Sequence, residues 1–234
     1  EIAHLVYVLI FVGLGALCTM VLAATTIAAE KEAGTLPALL VSPLSPWQIV
    51  LGKAAGVLRR CLPIWLLLAG HLGLFILMRF IHPVAAAQVA LLSGWVVVFL
   101  TGLGLMFSSL LRRTTAALVA TLAVALALWL VAPVLLTLLG LAGSSDFSID
   151  PGEAATVAAA GNPVVQAAVV MNAAGGEVNA HKSAESLAYR WPMAEGDLRP
   201  AEAWRAMGRY AAGYAGAGVL SGLLGMLVLR RRAM

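Results

Sequence analysis

The sequence predicts an all-α fold, a polytopic bundle of membrane-spanning helices, on three observations. Apolar residues fill 62% of the 234 positions, against roughly 45–50% in a soluble domain. Charged residues make up 11%, against roughly 25%. Those few charges are bunched, and five of the long stretches between them are apolar enough to be spans. A soluble fold of this size has too much surface to hide so many apolar side chains, and disorder needs the opposite composition. About 20 apolar residues in a helix cross the roughly 30 Å hydrocarbon layer. Lipid offers the backbone no hydrogen bonds, so open segments are helical. The alternating strands of about 10 residues that build membrane barrels are not seen.

The uncharged stretches place the spans. Ile2–Ala29 gives the first, at 5–28. It is longer than a signal peptide's apolar core and has no basic segment before it. Thr25 to Glu32 continues from it, followed by Gly34, Thr35 and an apolar cluster of Leu36, Leu39, Leu40 and Val41 that reads as a short amphipathic helix. Ser42-Pro43-Leu44-Ser45-Pro46 is a turn with two prolines. Trp47, Val50, Leu51, Ala54, Val57 and Leu58 recur at helical spacing, with Pro46 suited to the first helical position and Ser45 to the cap. This helix carries the Arg59-Arg60 pair at the level of the headgroups and enters the membrane at the second span, 61–80. The third span is 86–110 and the fourth 116–140, where Pro133 predicts a kink.

The segment 143–207 is different and reads as an extracytoplasmic loop. It holds eight acids and four bases. Pro163 with Asn162 as cap predicts a helix at 163–173, lying on the membrane surface or on other helices, or forming part of a re-entrant segment. The fifth span is 209–229. Residues 1–234 thus read as a single transmembrane domain.

Orientation follows from the bases. Lys31, Lys53, Arg59 and Arg60 lie between spans one and two, Arg112 and Arg113 between spans three and four, and Arg230, Arg231 and Arg232 at the end. Alternating spans put all three groups on one side, which the positive-inside rule makes cytoplasmic. The expected location is therefore the cytoplasmic (inner) membrane, multi-pass, with a cytoplasmic C-terminus. Glu1 then starts outside, and a further upstream span is expected. The net charge of +4 is a topology signal. It is not a nucleic-acid footprint, because no basic stripe interleaves with aromatics.

Catalytic patterns are missing. HExxH and GxSxG do not occur. Gly52-Lys53 lacks the preceding glycine and following Ser/Thr of a P-loop. Cys18 and Cys61 read as small buried hydrophobes, and no spacing predicts a metal site. His71, in mid-span, is expected to bond to a neighbouring helix. Gly218 and Gly222 form a small-xxx-small pair that lets helices approach closely, either within the chain or between copies.

Residues 27–53 carry the most specific pattern: Glu30-Lys31-Glu32, Gly34-Thr35-Leu36, Leu39-Leu40, Ser42-Pro43, Ile49 and Gly52-Lys53, directly after a span. This combination resembles the permease subunits of the ABC-2 family of ATP-binding-cassette transporters. In that family six spans are usual, so the chain looks like spans two to six. The resemblance implies that 30–60 is a cytoplasmic coupling segment docking into a groove on a separate ABC ATPase subunit. Leu36, Leu39 and Leu40 would be apolar knobs, Glu30, Lys31 and Glu32 flanking charges, and Gly34, Thr35, Gly52 and Lys53 further parts of the motif. It also implies a non-catalytic subunit that binds no cofactor itself, with ATP and Mg on the partner ATPase. A second permease copy, as homo- or heterodimer, would sit beside it in membrane lipid, and export is the expected direction. The rival readings are an ATP-independent carrier or a membrane assembly scaffold.

Overall fold

The computed structural model describes residues 2–37, 45–141, 151–192, 194 and 196–233. The described residues are almost entirely helical, with two isolated β-bridges and no strand. The helices are α1 (Ile2–Thr25), α2 (Ala28–Glu32), α3 (Pro46–Leu77), α4 (Val84–Leu110), α5 (Thr114–Leu126), α6 (Ala132–Leu141), α7 (Pro151–Ala160), α8 (Pro163–Ala174), α9 (Glu177–Ala180) and α10 (Pro200–Ala233). Five stretches are long and apolar enough to span a membrane: Ala3–Glu32, Pro46–Leu77, Val84–Leu110, Thr114–Leu141 and Pro200–Arg231.

Their count matches the sequence expectation, but one boundary moves. The helix expected from Trp47 enters the second span without a break and runs on through Pro63 as one 32-residue helix. The last helix starts at Pro200, inside the segment expected to be loop up to 207. Glu202, three residues after Arg199, accepts a hydrogen bond from the Arg199 N–H at 3.0 Å and closes the first turn as a capping-box carboxylate does.

Apolar side chains face outward in numbers a soluble protein could not carry. In Thr114–Leu141 alone, Val119, Leu130, Val134, Leu135 and Leu138 are all more than half exposed. In lipid such a surface costs nothing, and the backbone is satisfied within each helix.

The chain divides into two compact units. The first comprises Glu1–Gly13, Leu66–Ser93 and Ala125–Ala211. Here α7 and α8 form a broken pair bent by 73° at a short break, the geometry of a broken span or re-entrant hairpin. Asn162 caps α8 as expected, its side chain accepting from the Val164 N–H at 2.8 Å. The Ile81–Gly175 bridge joins the turn after α3 to the end of α8, with His82 N–H donating to the Ala174 carbonyl at 2.8 Å. Tyr189 is fully buried and donates to Gln88 Oε1 at 3.1 Å. Burial pushes its phenol up from the ordinary value, and the Gln88 bond partly offsets this. His71 sits among His4, Tyr7, Phe11 and Phe75. Its expected helix-bridging hydrogen bond is not formed, because aromatic rings surround it and Nε2 is buried without a partner.

Pro133 acts through hydrogen bonding. It has no N–H to return to the Trp129 carbonyl four residues back. The helix there widens into a π-turn over Ala127–Val131, and the Asn162 side-chain amide donates to that same Trp129 carbonyl. Asn162→Ala removes both this bond and the α8 cap, with an expected cost of about 1–3 kcal/mol. In a Pro133→Ala background the main chain can supply the missing donor, so the cost of Asn162→Ala should shrink. Denaturant unfolding of the four proteins in detergent measures this. Equal costs in both backgrounds would refute the link.

The second unit comprises Leu14–Trp65, Gly94–Val124 and Ala212–Met234. Its helices meet where glycine removes the side chain. A Cβ on Gly104 would fall 2.6 Å from the Ala23 Cβ. One on Gly15 would fall 2.6 Å from the Trp65 ring. Cys18 and Cys61 lie with their sulfurs 3.6 Å apart, both as free thiols, Cys61 fully buried. Trp95 stacks on Tyr214 with centroids 4.7 Å apart.

Candidate functional site

The motif segment lies in the second unit, and the structure ties each of its charges to the chain itself. α2 is one turn long and carries Glu30, Lys31 and Glu32. Because these are consecutive, they point in three directions around the helix, and each reaches a different span. Glu30 forms an ion pair with Lys53 on α3. Lys31 donates from Nζ to the carbonyls of Ser108 and Ser109, both at 2.6 Å, and of Leu111 at 2.8 Å. Glu32 accepts from the Thr114 N–H and hydroxyl, each at 2.9 Å.

The electrostatics favour this arrangement. The last carbonyls of a helix lack intrahelical partners and carry the negative end of its dipole. An ammonium at the end of α4 meets both needs. The first N–H groups of a helix are the positive end, and the Glu32 carboxylate stands at the start of α5. A third contact fastens the approach to α2: the buried Ser108 hydroxyl accepts from the N–H of Ile27 at 2.9 Å and of Ala28 at 2.8 Å.

Gly34 and Thr35 close α2. Gly34 has φ +70°, a left-handed conformation that glycine adopts without a Cβ penalty. Its N–H bonds to the Lys31 carbonyl at 3.2 Å, and the Thr35 N–H bonds to the Glu30 carbonyl at 3.0 Å. This is a Schellman end, which turns the chain sharply so that the next residue folds back.

That residue is Leu36. Leu36 is only 7% exposed and packs with Ile27, Val50, Leu105 and Leu229. Leu39 and Leu40 lie outside the described residues, as does the rest of the expected amphipathic helix over 38–41. Gly52 is exposed on α3, and a Cβ there would meet nothing within 4 Å, so no contact explains a glycine at this position. Lys53 is the partner of Glu30.

Gly218 and Gly222 pack within the chain. A Cβ on Gly218 would fall 2.6 Å from the Val98 carbonyl oxygen, whereas Gly222 has only Gly102 Cα, at 3.8 Å. Beside this seam α3, α4 and α10 leave an apolar groove of about 410 Å³, lined by Trp47, Leu51, Leu58, Val98 and Val219 among others.

Sequence reading missed Ser108, Ser109 and Thr114, and the close-packing role of Gly102 and Gly104. The signal was present: hydroxyl residues flank Arg112-Arg113 where one apolar run ends and the next begins, the places where helices need caps.

Fold and site together define a polytopic helical membrane protein in which a short polar clip gathers the ends of several spans. A family model described as ABC-2 family transporter protein matches residues 2–183, and the chain belongs to that family. No curated protein matches it. It is thus a multi-pass membrane component of a transport system, in a family whose systems include an ATPase.

Proposed function

We propose that the chain is the permease subunit of an ABC-2 transporter and couples ATP hydrolysis on a separate ATPase subunit to substrate movement, in the direction of export. Two permease copies and two ATPase subunits form the working unit, the motif segment faces the cytoplasm, and ATP with Mg resides on the ATPase. The observation that carries this reading is the clip: Glu30, Lys31 and Glu32 fasten α2 to α3, to the end of α4 and to the start of α5. A push on this segment is therefore delivered to several spans at once, because packed helices transmit strain and do not absorb it. The knobs for the ATPase groove are Leu39 and Leu40; the charges act as internal fasteners.

A double variant Leu39→Asp/Leu40→Asp tests the coupling role. Placing carboxylates in an apolar socket carries a large desolvation penalty. ATPase co-purification and ATP-driven transport are expected to fall at least about tenfold, the equivalent of ~1.4 kcal/mol, while thermal unfolding of the isolated chain stays unchanged. Retained ATPase binding and transport would sink the assignment.

A further inference from the structure

The first unit contains a cleft of about 640 Å³ that the coupling reading does not use. One wall is the opening of α10, with Glu202, Arg205, Arg209 and Tyr210. The other holds Trp191, Ala194 and Leu198, in the turn whose described ends are Tyr189 and Leu198. That turn is anchored. Tyr189 and Leu198 exchange backbone hydrogen bonds at 3.1 and 2.9 Å, and the buried Tyr189 hydroxyl is fixed to Gln88. Trp191 is 4% exposed and stacks on Tyr210, with centroids 6.5 Å apart and planes 27° apart.

Among the described residues that line the cleft, two arginines, Arg205 and Arg209, accompany one carboxylate, that of Glu202. Arg205 and Arg209 are exposed and stand one turn apart on α10, so their guanidinium groups project from the same face. Among the described residues, neither has a carboxylate within salt-bridge distance. Glu202 is the nearest acid along the helix, but its carboxylate accepts from the Arg199 N–H at the helix start. Arg205 uses only Nε, toward the Ala201 carbonyl at 3.3 Å. From Tyr210 onward α10 has no charge for 20 residues, so the two arginines stand where the apolar part of the span ends. Tyr and Trp favour that level of a membrane.

We propose that this cleft binds a phosphate ester, with Arg205 and Arg209 gripping the phosphate and the Trp191–Tyr210 wall and Leu198 holding the apolar group next to it. Paired guanidinium forks match phosphate oxygens in geometry and charge. The volume falls within the roughly 300–1,000 Å³ of small-molecule sites: it accommodates a headgroup and its glycerol, not two full acyl chains. The phosphate comes from a membrane phospholipid or from a soluble phosphoester, and the chemistry of the grip is the same for both. None of the cleft residues belongs to the clip around α2, so this site stands or falls independently of ATPase coupling. The cleft also lies beyond residues 2–183, the region shared with the family model.

Isothermal titration calorimetry on the full chain in a sugar detergent, which contributes no phosphate, tests it. The probes are dihexanoyl phosphatidic acid, glycerol 3-phosphate and dihexanoylglycerol. Dihexanoyl phosphatidic acid is expected to bind, and Arg205→Gln/Arg209→Gln to weaken it at least about tenfold. Arg190→Gln, an exposed arginine of the same turn outside the cleft, should leave it unchanged. If the double variant misfolds by its melting curve, Arg209→Gln alone gives the readout. Comparable binding of glycerol 3-phosphate identifies a soluble phosphoester as a sufficient ligand; its absence identifies the lipid. Equal binding of dihexanoylglycerol, an unchanged affinity in the double variant, or no binding of either phosphate probe overturns the site.

Discussion

Lys31→Met is expected to destabilise the chain by about 2–3 kcal/mol, the scale for losing charge-assisted hydrogen bonds whose partners stay in place. For a chain of this size that corresponds to a drop in melting temperature on the order of 5–10 °C. Methionine keeps the apolar stem and removes the ammonium. The carbonyls of Ser108, Ser109 and Leu111 then lose a donor that all three share, at the end of a helix with no following turn to supply another. Lys31→Arg should restore only part of the loss, because a planar guanidinium cannot converge on three carbonyls as a compact ammonium does. The expected signature is local: amide exchange should accelerate in 27–32 and 108–111, the two ends that Lys31 and Ser108 join. Parent-like melting and exchange in Lys31→Met would show that the clip is not holding these ends together. A stable Lys31→Met that loses transport is a different outcome, and it would assign Lys31 to the partner interface in place of the fold.

How far the sequence could be read depends on which physical signal each feature leaves. The spans were legible because about 20 residues that are both uncharged and predominantly apolar leave few alternatives in water or in lipid. The Asn162-Pro163 cap was legible because it is local: both residues of the signature are adjacent, and the structure has the same bond. The helix Pro46–Leu77 was legible in outline, because the apolar periodicity from Trp47 leads into the second span and the charge of Arg59-Arg60 does not by itself break a helix. Both arginines are exposed and can extend along the helix toward a polar layer.

The candidate site was legible as a string, and its contacts within the chain were not. Consecutive charges after a span look like groups for an external partner. Whether they are depends on what lies about 80 positions later in the chain, at Ser108 and Thr114, and nothing in periodicity reports on that. The burial of Leu36 was hidden for a related reason. An apolar residue beside a motif is read as exposed when the turn after it is unknown, and it was the positive φ of Gly34 that sent Leu36 inward.

Gly218→Ala is expected to be among the most damaging single substitutions in the spans, and Gly222→Ala, four residues on, to be nearly silent. Small-xxx-small spacing treats the two alike, and the geometry separates them. A methyl group on Gly218 would lie 2.6 Å from the Val98 carbonyl oxygen, 2.7 Å from the Phe99 Cα and 2.9 Å from the Phe99 N. All three are backbone atoms, so no rotamer change makes room, and α10 must move away from α4. Overpacking of this kind costs about 1–3 kcal/mol where side chains can yield, and the upper end or beyond is expected here. The same crossing constrains α4, since a Cβ on Gly102 would overlap the Gly218 carbonyl. At Gly222 the closest atom is Gly102 Cα, at 3.8 Å, an ordinary contact. Alanine fits there, and its better helix propensity, worth up to about 1 kcal/mol in an exposed helix, offsets any small strain. Detergent melting curves and folded yield of the two variants check the contrast. If the pair served only to join two copies, both substitutions would leave the isolated chain's melting unchanged and shift its oligomeric state instead. An unchanged melt for Gly218→Ala therefore removes the intrachain seam, whereas loss of folded yield in Gly218→Ala with a parent-like Gly222→Ala establishes it.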